Sequence, residues 1–94
     1  MNYDPAPVLD ANKIAELSTL WMNSDFWNRS RNNGFWRTKD GYFVTVFPKN
    51  DGYAWFISDT HKDQRYNSKE ITDMSQAFSS SFKKFVELRN QVLT

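Results

Sequence analysis

The side chains able to act on another molecule fall into three groups. His61, the one histidine, lies between Asp59 and Asp63 at two-residue spacing. Two carboxylates and an imidazole can ligate a divalent ion. This spacing matches no specific metal motif, however, and a polar loop accounts for it. Ser79, Ser80 and Ser81 carry hydroxyls. They fall in a helical pattern, with no strand-to-helix elbow and no base beside them, so a solvated helix face is expected. Asp40 and Asp51 each precede a glycine, and turn chemistry explains both. The chain has 3 glycines, each read as punctuation, which leaves no phosphate-cradling loop. The expectation is a protein that is not an enzyme, with no catalytic residue, cofactor or metal.

The third group is basic and aromatic. Residues 1–28 hold Asp4, Asp10, Glu16 and Asp25 against Lys13. Residues 29–39 hold Arg29, Arg31, Arg37 and Lys39 and no acid. An acidic head beside a basic strip can be satisfied within one fold, or the strip can meet an acidic partner. Trp36 lies inside the strip and Phe43 soon after it. Arg29, Arg31, Trp36, Arg37, Lys39 and Phe43 are therefore the candidate partner-binding residues. Trp and Arg are the side chains that dominate protein-binding hot spots. Aromatics on a sheet can also stack on unpaired bases.

Composition narrows the class. Ninety-four residues with 39% hydrophobic and 17% aromatic content suit one small globular domain with a real core. The aromatic share argues against disorder. There is no cysteine, so no disulfide framework, thiolate metal site or thiol nucleophile exists. That fits a reducing compartment. No apolar run approaches the ~20 residues of a membrane span, and the start of the chain lacks the basic and apolar blocks of a signal peptide. A cytoplasmic protein with no membrane partner is expected.

These residues must be held by elements, and the stretch from Phe35 to Ser58 announces them. Runs of β-branched and aromatic residues are separated at Asp40-Gly41 and near Asp51-Gly52. Asp-Gly favours tight hairpins, so the stretch predicts a three-stranded antiparallel meander. A two-residue turn at Asp40-Gly41 puts Phe35, Val44 and Val46 on one face, and Trp36, Thr38, Phe43, Thr45 and Phe47 on the other. An even-length second turn adds Trp55 and Ile57 to the first face and Ala54 and Phe56 to the second; an odd-length turn swaps them. Arg65 to Lys69 is a candidate short fourth strand with Tyr66 inward. Before the meander, Pro5 and Pro7 mark residues 1–9 as a loose arm. Asp10 caps an amphipathic helix over 11–22 that carries Ile14, Leu17 and Trp21. Ser24 caps a short turn bearing Phe26 and Trp27. Thr72 caps a long C-terminal helix whose apolar stripe runs Met74, Phe78, Phe82, Phe85, Leu88, Val92.

The C-terminal helix covers the face with Val44, Val46 and Ile57. Two arrangements serve the second, aromatic face. In the first, the N-terminal helix lies on it and the domain is a three-layer sandwich. In the second, both helices share one face or one edge and the aromatic face is at least partly free to bind. In either case Trp36 is expected to stay accessible, flanked by Arg37 and Lys39. Three antiparallel strands followed by a helix, over roughly residues 35–90, resembles the element order of plant AP2-type and phage-integrase arm-binding domains. No signature residue of those domains is matched, and no functional residue follows from the resemblance. The reading is an α+β binding module whose partner is another protein, as an adaptor or a small inhibitor that occludes a partner's surface. Nucleic-acid binding is the alternative, and a homodimer through the aromatic face a third arrangement.

Overall fold

The computed structural model describes residues 8–31 and 33–91. Helix α1 (Ala11–Trp21) starts where expected, with Asp10 Oδ1 accepting from the Lys13 N–H at 2.9 Å. A single 3-10 turn, Ser24–Phe26, is capped by Asn23 rather than Ser24, because the Asn23 side-chain Oδ1 accepts from the Asp25 N–H. Five strands follow: β1 (Asn28–Arg29), β2 (Phe35–Lys39), β3 (Tyr42–Lys49), β4 (Gly52–Asp59) and β5 (Gln64–Asn67). They form one antiparallel sheet in sequence order. Helix α2 (Met74–Gln91) closes the described chain. The fold is α+β, with a five-stranded sheet in place of the three or four strands read from sequence. The added strand is β1, two residues too short to show a periodicity.

Turn chemistry sets the register. Asp40 and Gly41 both take positive φ, 53° and 85°, which matches the twist a two-residue hairpin needs. Arg37 then pairs with Val44, and Phe35 with Val46. The second turn is Asn50-Asp51, with Asn50 at φ 54°. Gly52 is not its apex but the first residue of β4. A Cβ there would come within 2.5 Å of the Ile71 carbonyl oxygen, where residues 68–71 run beside β4 and Tyr53 and Ile71 exchange both backbone bonds at 2.7 Å. The turn is still two residues long, so Trp55 and Ile57 join Val44 and Val46 as expected.

Both helices cover that one face. Val44 and Ile57 are 0% exposed, and α2 lies along β4 and β3 while α1 lies against α2. Trp21 joins the two layers: its ring centroid is 4.9 Å from Phe85, 5.2 Å from Phe82 and 5.1 Å from Trp27. This corrects the sandwich arrangement, since the N-terminal helix does not lie on the aromatic face. Trp21 and Leu17 are buried against other helical and turn residues, and α1 has no second apolar stripe to offer. Leu9, placed in the expected loose arm, is buried and donates its N–H to Asn90 Oδ1 at 2.9 Å. The rest of that arm, residues 1–7, falls outside the described residues.

The α2 stripe also shifts. Its buried positions are Ala77, Phe78, Ser81, Phe85, Leu88 and Arg89. Phe82 is half-buried, Met74 is 41% exposed and Val92 is outside the described residues. Asp73, not Thr72, opens the helix, accepting from the Ser75 N–H at 3.2 Å. Ser81 is completely buried, which overturns its expected place on a wet face. It accepts from Trp21 Nε1 at 3.0 Å and donates to the Phe78 carbonyl at 2.7 Å. A small hydroxyl side chain lets the indole come close and supplies the acceptor that a buried Trp N–H needs. At the far end, Arg89 Nε bonds Asp40 Oδ2 at 2.8 Å, tying the helix to the β2–β3 turn.

Candidate functional site

The uncovered face of the sheet is the candidate site. Strand alternation and the observed register put Trp36, Thr38, Phe43, Thr45, Phe47, Ala54, Phe56 and Ser58 there. Asn67 and Arg65 continue it on β5. No described helix lies over it. The four rings are half-buried, with the Gly34 loop beside Phe47 and Arg65 beside Phe56. Trp36 and Phe43 stack with centroids 6.0 Å apart and planes 29° from parallel.

Thr45 is the centre of this face. Trp36 and Phe56 are its direct partners across the strands on either side, and Phe43 and Phe47 are two residues away along its own strand. Opposite residues in a ladder sit ~5 Å apart at Cβ and those two along the strand ~7 Å. Four rings therefore surround a short side chain. The Thr45 hydroxyl donates to the Phe35 carbonyl of the neighbouring strand at 2.8 Å. No Asp or Glu lies among the outward strand residues; the cations there are Lys49 and Arg65. Glu70 stands at the Lys49 end, where it accepts from Asn50. The Arg65 guanidinium is 6.0 Å from the Phe56 ring and has no ion pair among the described residues.

The tryptophans separate the two faces. Trp21 donates its indole N–H to Ser81 Oγ, Trp27 to the Trp21 carbonyl at 2.8 Å, and Trp55 to Ser80 Oγ at 2.9 Å. Trp36 has no such acceptor among the described residues. Its N–H is left for solvent or for a partner.

The six residues singled out from sequence do not form one patch. Trp36 and Phe43 meet on the open face. Arg37 pairs with Val44 and so points to the helical face. There its Nη1 donates to the Phe26 carbonyl at 2.6 Å, and its guanidinium lies 4.0 Å from the Phe26 ring. It holds the 3-10 turn against the sheet. Lys39 also points to that side, where it borders a cavity of about 340 Å³ with Leu9, Lys13, Leu17 and Arg89. Arg29 lies over Phe35 at 4.8 Å, and Arg31 is exposed in the β1–β2 connection. Arg37 and Lys39 therefore do not flank Trp36 on its own face, as their adjacency in sequence suggested. Strand alternation sends neighbours to opposite sides. Arg65, which does share the open face, escaped the sequence reading because its strand carries only one apolar residue.

The polar loop places His61 over Gly41, where a Cβ would project. Asp59, buried at the end of β4, accepts from the His61 and Lys62 N–H groups at 2.9 and 3.2 Å. Among the described residues no cluster of three His, Asp or Glu side chains is arranged to hold a metal ion, and no helix is long and apolar enough to cross a membrane. On the helical side, an apolar cleft of about 140 Å³ opens between Trp21, Met22, Trp27, Met74 and Phe78. No protein-family model, no curated protein and no solved structure matches the chain.

Proposed function

We infer that the chain is a non-enzymatic binding module that engages another protein through the open face of its sheet, as an adaptor or as an inhibitor that occludes the partner's surface. The observation that carries this is the placement of both helices on one side, which leaves the half-buried Trp36, Phe43, Phe47 and Phe56 with no helix over them among the described residues. Contiguous aromatic surface of this kind marks interaction sites. The free Trp36 N–H adds a polar handle of the kind that makes Trp an anchor at interfaces. Nucleic-acid binding is the less favoured alternative, because Arg37 is engaged by Phe26 and the basic strip does not share the face of the rings. The absence of cysteine suits action in the reducing cytoplasm.

A photo-cross-linking amino acid tests the reading. Placed at Phe47 on the open face, it is expected to trap a protein partner in cell extract. Placed at Glu87 on the exposed side of α2, it is expected to trap none. Trapping from Glu87 alone would move the binding surface to the helices.

A further inference from the structure

Resting on that reading, we propose that the ring-bordered pit over Thr45 receives one apolar side chain of the partner, and that Arg65 at its rim pairs with a carboxylate next to that side chain. The pit follows from the register. Thr45 is the short member of a cross whose four arms are Trp36, Phe56, Phe43 and Phe47. Its hydroxyl proton is already given to the Phe35 carbonyl, so the floor offers a ligand no donor, only the Thr45 oxygen as an acceptor. A polar acceptor placed there would lose water without compensation, and a donor would recover at most one bond. An aliphatic or aromatic side chain would instead gain contact with four rings at once.

Charge selects the flank. An aromatic enclosure can also hold a cation, but Arg65 already stands 6.0 Å from Phe56 and no outward strand residue is acidic. A second cation would meet repulsion without a balancing carboxylate. An anion beside the apolar group would meet a guanidinium that has no ion pair of its own among the described residues. Arg suits this position, since its planar fork can take a carboxylate in two parallel bonds. The occupant is therefore a protein segment with a large apolar residue and an Asp or Glu adjoining it. A second copy of this chain fits less well, because two Thr45 pits brought face to face leave the rings without a knob to enclose.

Selection from a phage-displayed library of random peptides on the folded, immobilised chain tests this. Enriched sequences are expected to share one Leu, Ile, Met or Phe with an Asp or Glu beside it. An enriched peptide should bind Thr45→Leu, in which the pit is filled, at least tenfold more weakly than wild type. Arg65→Glu, an exposed change that leaves the core alone, should reverse the selected flank from acidic to basic. Melting curves of both variants separate lost binding from lost folding. Peptides with no acidic flank, no enrichment at all, or equal affinity for wild type, Thr45→Leu and Arg65→Glu would each overturn the proposal. If that equal affinity were accompanied by loss of binding in Trp36→Ala, the open face would still be the binding surface and only the pit would be wrong. Insensitivity to Trp36→Ala as well would remove both. Concentration-dependent dimerisation in sedimentation that Thr45→Leu abolishes would also overturn it, in favour of a second copy as the occupant.

Discussion

The two faces of the sheet are built from similar material and end in different states. The helical face presents Phe35, Val44, Val46, Trp55 and Ile57, and every one is buried. The open face presents Trp36, Phe43, Phe47 and Phe56, and every one is half-buried. Apolar content does not distinguish them. What differs is the supply of partners: α2 brings Phe78, Phe85 and Leu88 to one side, and α1 brings Trp21 to the same side. Polar detail follows the same division. On the covered side each indole N–H meets an acceptor within the chain, as burial requires. On the open side the Trp36 N–H is unassigned. The covered face thus satisfies its indoles within the chain, although the Arg37 Nε buried there has no hydrogen-bond partner among the described residues.

Substitutions can break this contrast. The largest effect is expected at Phe85, fully buried between Trp21 and Tyr42. Phe85→Ala should cost about 3–5 kcal/mol, a large part of the stability of a domain this small. Denaturant unfolding measures it, and an unchanged midpoint would mean that α2 is not part of the core. Phe82→Ala, half-buried at the edge of the same stripe, should cost clearly less.

Next in size is Trp36→Ala. It should weaken partner binding by about 2 kcal/mol or more with a smaller change in stability. A partner trapped as above, titrated against both proteins, gives the affinity, and a thermal melt gives the fold. If the variant melts far lower while binding equally well, the open face is a core surface and the contrast fails.

Ser81→Ala sharpens the hydrogen-bond side of the comparison. It strands the Trp21 N–H in the core, at about 1–3 kcal/mol. Ser58→Ala, on the open face, should stay within about 0.5 kcal/mol of wild type. Equal effects of the two serines in chemical denaturation would show that the faces do not differ in this respect.

The residues of both sheet faces were legible in the sequence, and less of what packs over them. Asp40-Gly41 fixes a turn by its backbone requirement, so the β2–β3 register and both sets of inward residues could be read. The second hairpin came through despite its misplaced apex, because a turn at Asn50-Asp51 has the same even length as one near Asp51-Gly52. The position of α1 was not legible. An amphipathic stripe says that a helix needs an apolar surface, not which of two such surfaces it takes. Ser81 was misread because periodicity counts serine as polar, while at this crossing its small size and its lone pair are what fit Trp21. Arg37 was read by charge alone and Arg89 was not singled out, because their folded partners, Phe26 and Asp40, lie 11 and 49 residues away.

The borders of the sheet carry one more consequence. Its first strand is two residues long and its last is four. A sheet showing four rings on one surface is a hazard if a neighbouring molecule can also extend its ladder, because stacking and strand addition then reinforce each other into a fibril. Here a newcomer would find only a few unpaired backbone groups along either border. Pro48, near the end of β3, removes one more donor beyond the reach of β2. Short border strands thus limit how far strand addition could extend this sheet.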